Sequence, residues 1–390
     1  MHLGTNVIDA MLSLWRGLFT CESTDSKRNW DWALQLMDNN VWQAHGKLVA
    51  SATKYFPSFF HCPPRNPAEK LSSGYKATEL YLYVFGLGPG FFRQVLAKKY
   101  WKNFCKLVRG FRVIMQRSIS GQQAQDAHFY LIQFVEEYEN IYYQRRADQI
   151  HFNRPCFHTL LHAPQEVFCV GNAIHTDQFT MERAIGELGQ NIRQPSNPYG
   201  ALTQLALRKA KINALKSICP ELDNDLTPHT PWHAHDMGNG HVLLRPREET
   251  AHEFSDKEHD AIRAVCNVDK CQKWGRLQLP NGQVARSLYS ENRRLSENKR
   301  NTRNVKNAYV VLSKYSSPDQ DLLEESFHTL HACSYLSQES LVCVPLNSIV
   351  TVVSMQPLPL VAGDPENLWF VVEKCGLDDT QLFGNEAPAN

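Results

Sequence analysis

Glu182 lies in the string HTDQFTMERAIGELG, 175–189. Placed on a helix, Phe179, Glu182, Gly186 and Gly189 share one face, and Met181, Ile185 and Leu188 share another. A carboxylate flanked by two glycines can reach a divalent metal or a backbone phosphate at close range. An exposed glutamate beside small residues that let helices pack closely fits the same spacing, so both readings stay open. His158 and His162, in RPCFHTLLH at 154–162, are four residues apart. On a helix both could ligate one zinc ion, with Cys156 nearby, or both could simply be packed or hydrogen-bonded. The histidines of 220–257 (His229, His233, His235 and His241) sit among Pro, Gly and Asp and read as a pliant segment. GLGPG at 86–90 lacks the Lys-Ser/Thr of a phosphate loop and reads as a helix stop.

Charge is distributed unevenly in a chain of net charge +1. Leu80 to Gln125 contains no Asp or Glu but eight basic residues: Arg93, Lys98, Lys99, Lys102, Lys106, Arg109, Arg112 and Arg117. Lys98, Lys102, Lys106 and Arg109 fall roughly opposite an apolar stripe. A helix face of one sign attracts a polyanion, and neutralising phosphates releases counterions. A second acid-free stretch, Gln190–Lys216, carries Arg193, Arg208, Lys209, Lys211 and Lys216. A third basic run is Arg293, Arg294, Lys299, Arg300, Arg303 and Lys306. Each cluster could also be a solvated face. Together they point to nucleic acid without separating DNA from RNA.

The elements that must position these residues change character along the chain. Over 1–222 the apolar spacing is helical. Val7, Ile8, Met11, Leu14, Trp15 and Leu18 share one face. Leu96, Tyr100, Phe104, Val108, Phe111 and Met115 form the stripe of a helix over 92–117. Ser120 is placed to cap a long helix over 121–147. Residues 223–257, rich in Pro, His, Asp and Gly, read as a linker with a short strand at His241–Leu244. From 258 to 376 the period becomes two, with Asn281-Gly282 marking a hairpin and a short helix inserted at 319–325. Residues 377–390 read as a frayed tail. The fold class expected is α+β: a mainly helical region followed by a small, separable β-rich domain.

Eleven cysteines, an odd count with one close pair (Cys266 and Cys271), show no disulfide framework and point to a reducing compartment. The apolar N-terminal stretch lacks a basic leader. No segment approaches the roughly 20 uninterrupted apolar residues of a membrane span. A soluble intracellular protein is the expectation.

Several strings together resemble one family, the CACTA-like (En/Spm, Plavaka-type) DDE transposases of basidiomycete fungi. They are MHLGTNVIDAMLSLWRG (1–17), NPAEKLSSGYKATELYLYVFGLGPG (66–90), YWKNFCKLVRGFRV (100–113), EYENIYYQRRADQIHFNRPCFHTLLH (137–162) and QFTMERAIGELGQNIRQPSNPYGALTQLALRKAKINALK (178–216). GRLQLPNGQVARS (275–287) and FVVEKCGLD (370–378) resemble the tail of these proteins. The resemblance implies an RNase H-like core in which two Asp and one Glu hold two Mg²⁺ for DNA strand cleavage and transfer. Glu182 would be the third carboxylate. His158 and His162 would match a histidine pair that joins an upstream Cys pair at zinc. In the family the second Asp directly precedes, or nearly precedes, the dipeptide that is Met1-His2 here, and the first Asp, the Cys pair and a DNA-binding region lie further upstream. The expectation is therefore a truncated remnant without activity or well-bound metal of its own. Its expected location is the nucleus. Its expected partners are DNA and further copies of itself, with no membrane and no small-molecule substrate. Arg93, Lys98, Lys102, Lys106, Arg109, Arg112, Arg193, Arg208 and Lys211 are the expected DNA contacts. The alternative is a host-adopted nuclear protein that binds DNA or chromatin without catalysis.

Overall fold

The computed structural model is α+β and describes residues 2–21, 23, 25–33, 38–60, 62–71, 74–176, 178–190, 192, 196–222, 231, 234–246, 251–288, 307–337 and 340–374. The helical part begins with α1 (His2–Trp15), α2 (Asn39–Ser51), α3 (Pro67–Lys70), α4 (Ala77–Tyr81) and α5 (Gly88–Phe91). It continues with α6 (Lys98–Ile114), α7 (Gly121–Tyr138), α8 (Pro155–Val170), α9 (Ala173–Thr176), α10 (Gln178–Gln190) and α11 (Pro198–Ile218). Helix α6 is central. Its expected stripe is buried, and so are Trp101, Asn103, Cys105, Leu107 and Val113 on its other sides. It packs against α7, which starts at the capping box foreseen at Ser120. The Ser120 hydroxyl accepts from Gln123 N at 3.1 Å, and Gln123 Oε1 accepts from Ser120 N at 2.7 Å.

Two helix ends differ from expectation. GLGPG does not stop a helix. The chain runs from α4 through a wide π-helical turn, Leu82–Leu87, directly into α5. Pro89 is tolerated because it falls in the first turn of α5. Gly88 and Gly90 serve close packing: a Cβ on either would come within 2.8 Å of the Phe104 or Phe370 ring. The helix expected over 121–147 ends earlier. A π-helical turn, Glu139–Tyr143, leads to Gln144 and Arg145, both left-handed with φ of 55° and 51°.

The strands are β1 (His235–Gly238), β2 (His241–Pro246), β3 (His252–Glu253), β4 (Lys270–Cys271), β5 (Trp274–Gln278) and β6 (Val284–Arg286). They are followed by β7 (Tyr309–Ser313), β8 (Ala332–Ser334), β9 (Leu341–Pro345), β10 (Ser354–Pro357) and β11 (Leu368–Val372). Two short helices, α12 (Asp256–Arg263) and α13 (Gln320–Glu325), lie between them. The hairpin at Asn281-Gly282 is present, with Leu277 opposite Ala285 and Gly282 at φ 80°.

The expected single β-rich unit over 258–376 is divided between two cores. The antiparallel sheet β10-β11-β8 joins the helical core through Leu358, Leu368, Phe370, Val372, Leu330 and Ala332. A second core, built on Leu243, Leu277, Leu279 and Leu346, lies under β1-β2-β5-β6 and the β7-β9 ribbon. It begins at His235, inside the expected linker. The reason is physical: the inward side chains of β11 are apolar enough to be drawn under the helices, and period alone does not say which core a strand will join. The 223–230 part of the linker, the 293–306 basic run and the 377–390 tail lie outside the described residues.

Candidate functional site

The cationic face expected on α6 is divided: Lys98 and Lys102 keep side chains 70% and 39% exposed, whereas its later cations are buried. Lys106, Arg109 and Arg112 are 8%, 7% and 5% exposed. Lys106 pairs with Glu137 of α7 and lies 4.9 Å over the Phe327 ring. Arg109 stacks over Tyr130 at 6.0 Å. Arg112 donates to three backbone carbonyls: Phe85 O at 2.7 Å, Thr329 O at 2.8 Å and Gly86 O at 3.0 Å. It thereby ties the π-helical turn to the C-terminal segment. Lys98 and Lys102 both reach Glu325 of α13. Burial raises the Glu325 carboxyl pKa, but the two ammonium groups outweigh it and hold it below its ordinary value. Arg93 forms a two-point pair with Asp364. Four carboxylates from elsewhere in the chain, Asp31, Glu137, Glu325 and Asp364, pair with cations of the acid-free window, and backbone carbonyls accept the hydrogen bonds of Arg112.

Glu182 is exposed on α10. Its helix touches the core through Phe179, whose ring meets Tyr81 at 5.8 Å edge-on. Met181 and Ile185, on the other face, remain 64% and 61% exposed. Helix α11 runs 21 residues, is started by Asn197 accepting from Gly200 N at 3.0 Å, and has no buried residue. Leu207, Leu215 and Ile218 are 47%, 51% and 77% exposed. Arg208 and Lys211 are exposed on the same helix; Arg193 lies outside the described residues. This hairpin of helices leaves apolar, acidic and basic side chains all turned to water.

His158 and His162 are exposed on α8, with their Nε2 atoms 3.2 Å apart. A tetrahedral zinc with Zn–N bonds of about 2.0–2.1 Å needs its nitrogens roughly 3.3 Å apart. The pair therefore has the right span for two ligands. Among the described residues no group of three or more His, Cys, Asp or Glu is gathered for a metal ion. Glu182 is likewise not joined by carboxylates placed for two Mg²⁺, so no catalytic step is derived from these residues. No helix among the described residues is long and apolar enough to cross a membrane.

No protein-family model, no curated protein and no solved structure matches the chain.

Sequence reasoning missed a second set of cations. Lys27 and Arg154 come from segments far apart in the chain and are linked through the rings of Trp30, Phe152 and Phe19. Phe152 meets Trp30 at 5.0 Å and Phe19 at 5.5 Å, Lys27 lies over Trp30 at 5.9 Å, and Arg154 stacks on Phe19 at 4.5 Å. No local signal could have found them, because the 22–31 segment also carries Glu22, Asp25 and Asp31.

Proposed function

We propose that this chain is a portion of a CACTA-like DDE transposase, contributing the glutamate-bearing helix and the helical insertion to a DNA strand-transfer enzyme. The observation that carries the reading is the α10–α11 hairpin. It holds Glu182 and leaves Met181, Ile185, Leu207, Leu215 and Ile218 uncovered. An exposed apolar stripe of this kind favours a further layer, and a transposase core supplies one in a sheet that packs beneath the glutamate helix. The basic residues of α11, with Arg208 and Lys211 exposed, supply positive charge for phosphates on the same hairpin. Zinc at the His158–His162 pair, completed by other ligands, belongs to the same proposal.

Two-metal phosphoryl transfer requires paired ions within about 4 Å, held by several carboxylates. Mg²⁺ surrenders its water reluctantly, and a lone glutamate would hold it weakly. Activity therefore depends on aspartates beyond Glu182. The test is a cleavage assay on inverted-repeat duplex DNA with Mg²⁺ or Mn²⁺. The chain alone leaves the DNA intact. Joined to a segment that supplies the two family aspartates, it cleaves, and Glu182→Gln abolishes cleavage. Cleavage that survives Glu182→Gln in the joined protein would remove Glu182 from this role. A non-catalytic DNA-binding protein is the second reading, favoured by the exposed cations of α11.

A further inference from the structure

We propose that a cavity of about 480 Å³, between α2, the turn from α5 to α6 and the end of β10, binds a small neutral molecule. That molecule is mainly apolar and carries one hydroxyl, which meets His45. None of the cavity's residues has a role in the transposase reading.

The walls come from three parts of the chain that meet only in the fold. Ala44 and Leu48 belong to α2, Val95 to the turn after α5, and Leu358 and Pro359 to the chain leaving β10. Among the described residues no charged side chain lines the cavity, and Gln94 and His45 are its polar members. Pockets for small organic molecules commonly enclose about 300–1,000 Å³, so the size fits such an occupant. A lining without charge favours a neutral one, because an ion would leave water and find no partner.

His45 offers the polar contact. Its ring stacks with Trp42 and Phe92 at interplanar angles of 18° and 19°, and its Nε2 lies 2.9 Å from Tyr83 Oη. Its Nδ1 is buried and has no hydrogen-bond partner among the described residues. With the ring stacked and Nε2 engaged, the Nδ1 edge is what remains for a ligand. A buried nitrogen without a partner is costly, so a ligand that supplies one gains affinity. Burial keeps the imidazole neutral, its pKa pushed down to about 4. Nδ1 then donates in one tautomer and accepts in the other, according to how the Tyr83 hydroxyl turns. A hydroxyl on the ligand suits both, since it donates and accepts.

The walls are held in place before any ligand arrives. Leu358 N donates to Leu368 O at 2.9 Å, and Val95 N donates to Phe92 O at 3.2 Å. The Arg93–Asp364 pair ties the loop beyond Pro359 to the same turn that carries Val95. Pro357 and Pro359 fix their own φ on that side. A preformed site loses little affinity to ordering.

The test is binding of thymol, and of cymene, which is thymol without its hydroxyl, to the full chain by ligand-observed NMR. Both should bind the wild type. His45→Phe should weaken thymol about fivefold or more and leave cymene unchanged. Ala44 is exposed on α2, and Ala44→Trp should fill the cavity and abolish binding of both. Thermal melting checks that each variant is folded, and Ala44→Trp decides the matter alone if His45→Phe does not fold. Wild type that binds neither probe, or Ala44→Trp that binds both as wild type does, would overturn the cavity as a ligand site. Thymol and cymene affected alike by His45→Phe would overturn the hydroxyl contact.

Discussion

Arg93 and Asp364, 271 residues apart in the chain, form a two-point ion pair at 2.5 and 2.9 Å, with side chains 14% and 8% exposed. The pair closes the loop after β10 onto the end of α5, and the hydrogen bonds from Arg93 hold the Asp364 carboxyl below its ordinary pKa. A carboxyl depressed on folding stabilises the protein above the unfolded value of about 3.9, and that stability is lost as pH falls through the folded value. Asp364→Ala should cost roughly 3 kcal/mol at neutral pH, because it leaves a largely buried guanidinium unpaired. Denaturant titration of wild type and variant at pH 7 and pH 3 checks this. The gap should narrow as pH falls below the unfolded value and close only below the lowered folded one.

His45 gives a second pH dependence with its own window. It lies between Trp42 at 5.8 Å and Phe92 at 5.0 Å, its Nε2 is 2.9 Å from Tyr83 Oη, and burial pushes its pKa down to about 4. A buried neutral imidazole contributes fully above the unfolded value of about 6.5, and its contribution falls as pH drops toward the folded value. Between pH 7 and pH 5 the wild type should lose about 2 kcal/mol through this group. His45→Phe should flatten that slope, which unfolding curves across the interval would show.

Arg112 should behave as a structural residue. Its three carbonyl acceptors lie in the π-helical turn and beside β8. Lysine cannot reproduce a planar fork. Arg112→Lys should lower stability by about 3 kcal/mol, from at least two charged hydrogen bonds lost. Retention of DNA, measured below the melting temperature, should not change.

The histidine pair should bind a transition metal in a way that depends on both rings. Isothermal titration with Zn²⁺ or Ni²⁺ should show binding that His158→Ala or His162→Ala weakens at least tenfold, since each removes one of two ligands. Equal binding by the variants would place the metal elsewhere.

Legibility in the sequence followed the range of the interaction. The Ser120 cap and the Asn281-Gly282 hairpin are written within four residues and are present. The stripe of α6 was visible because period reports one buried face. That Lys106, Arg109 and Arg112 are also buried was not, because Glu137, Tyr130 and Thr329, which meet them, lie on other segments of the chain. A charge window measures what a segment carries and says nothing of what folds onto it. The same limit hid Lys27 and Arg154, which are linked only through the rings of Trp30, Phe152 and Phe19. GLGPG misled because glycine and proline punctuate helices, yet here they permit close packing against Phe104 and Phe370.

The genomic sequence on the 5′ side of the Met1 codon tests the central claim most directly. The account predicts coding sequence for an aspartate immediately upstream, intact or decayed, with a further aspartate and a Cys pair beyond it and inverted repeats flanking the whole. Unrelated sequence without such codons or repeats would contradict a transposase origin.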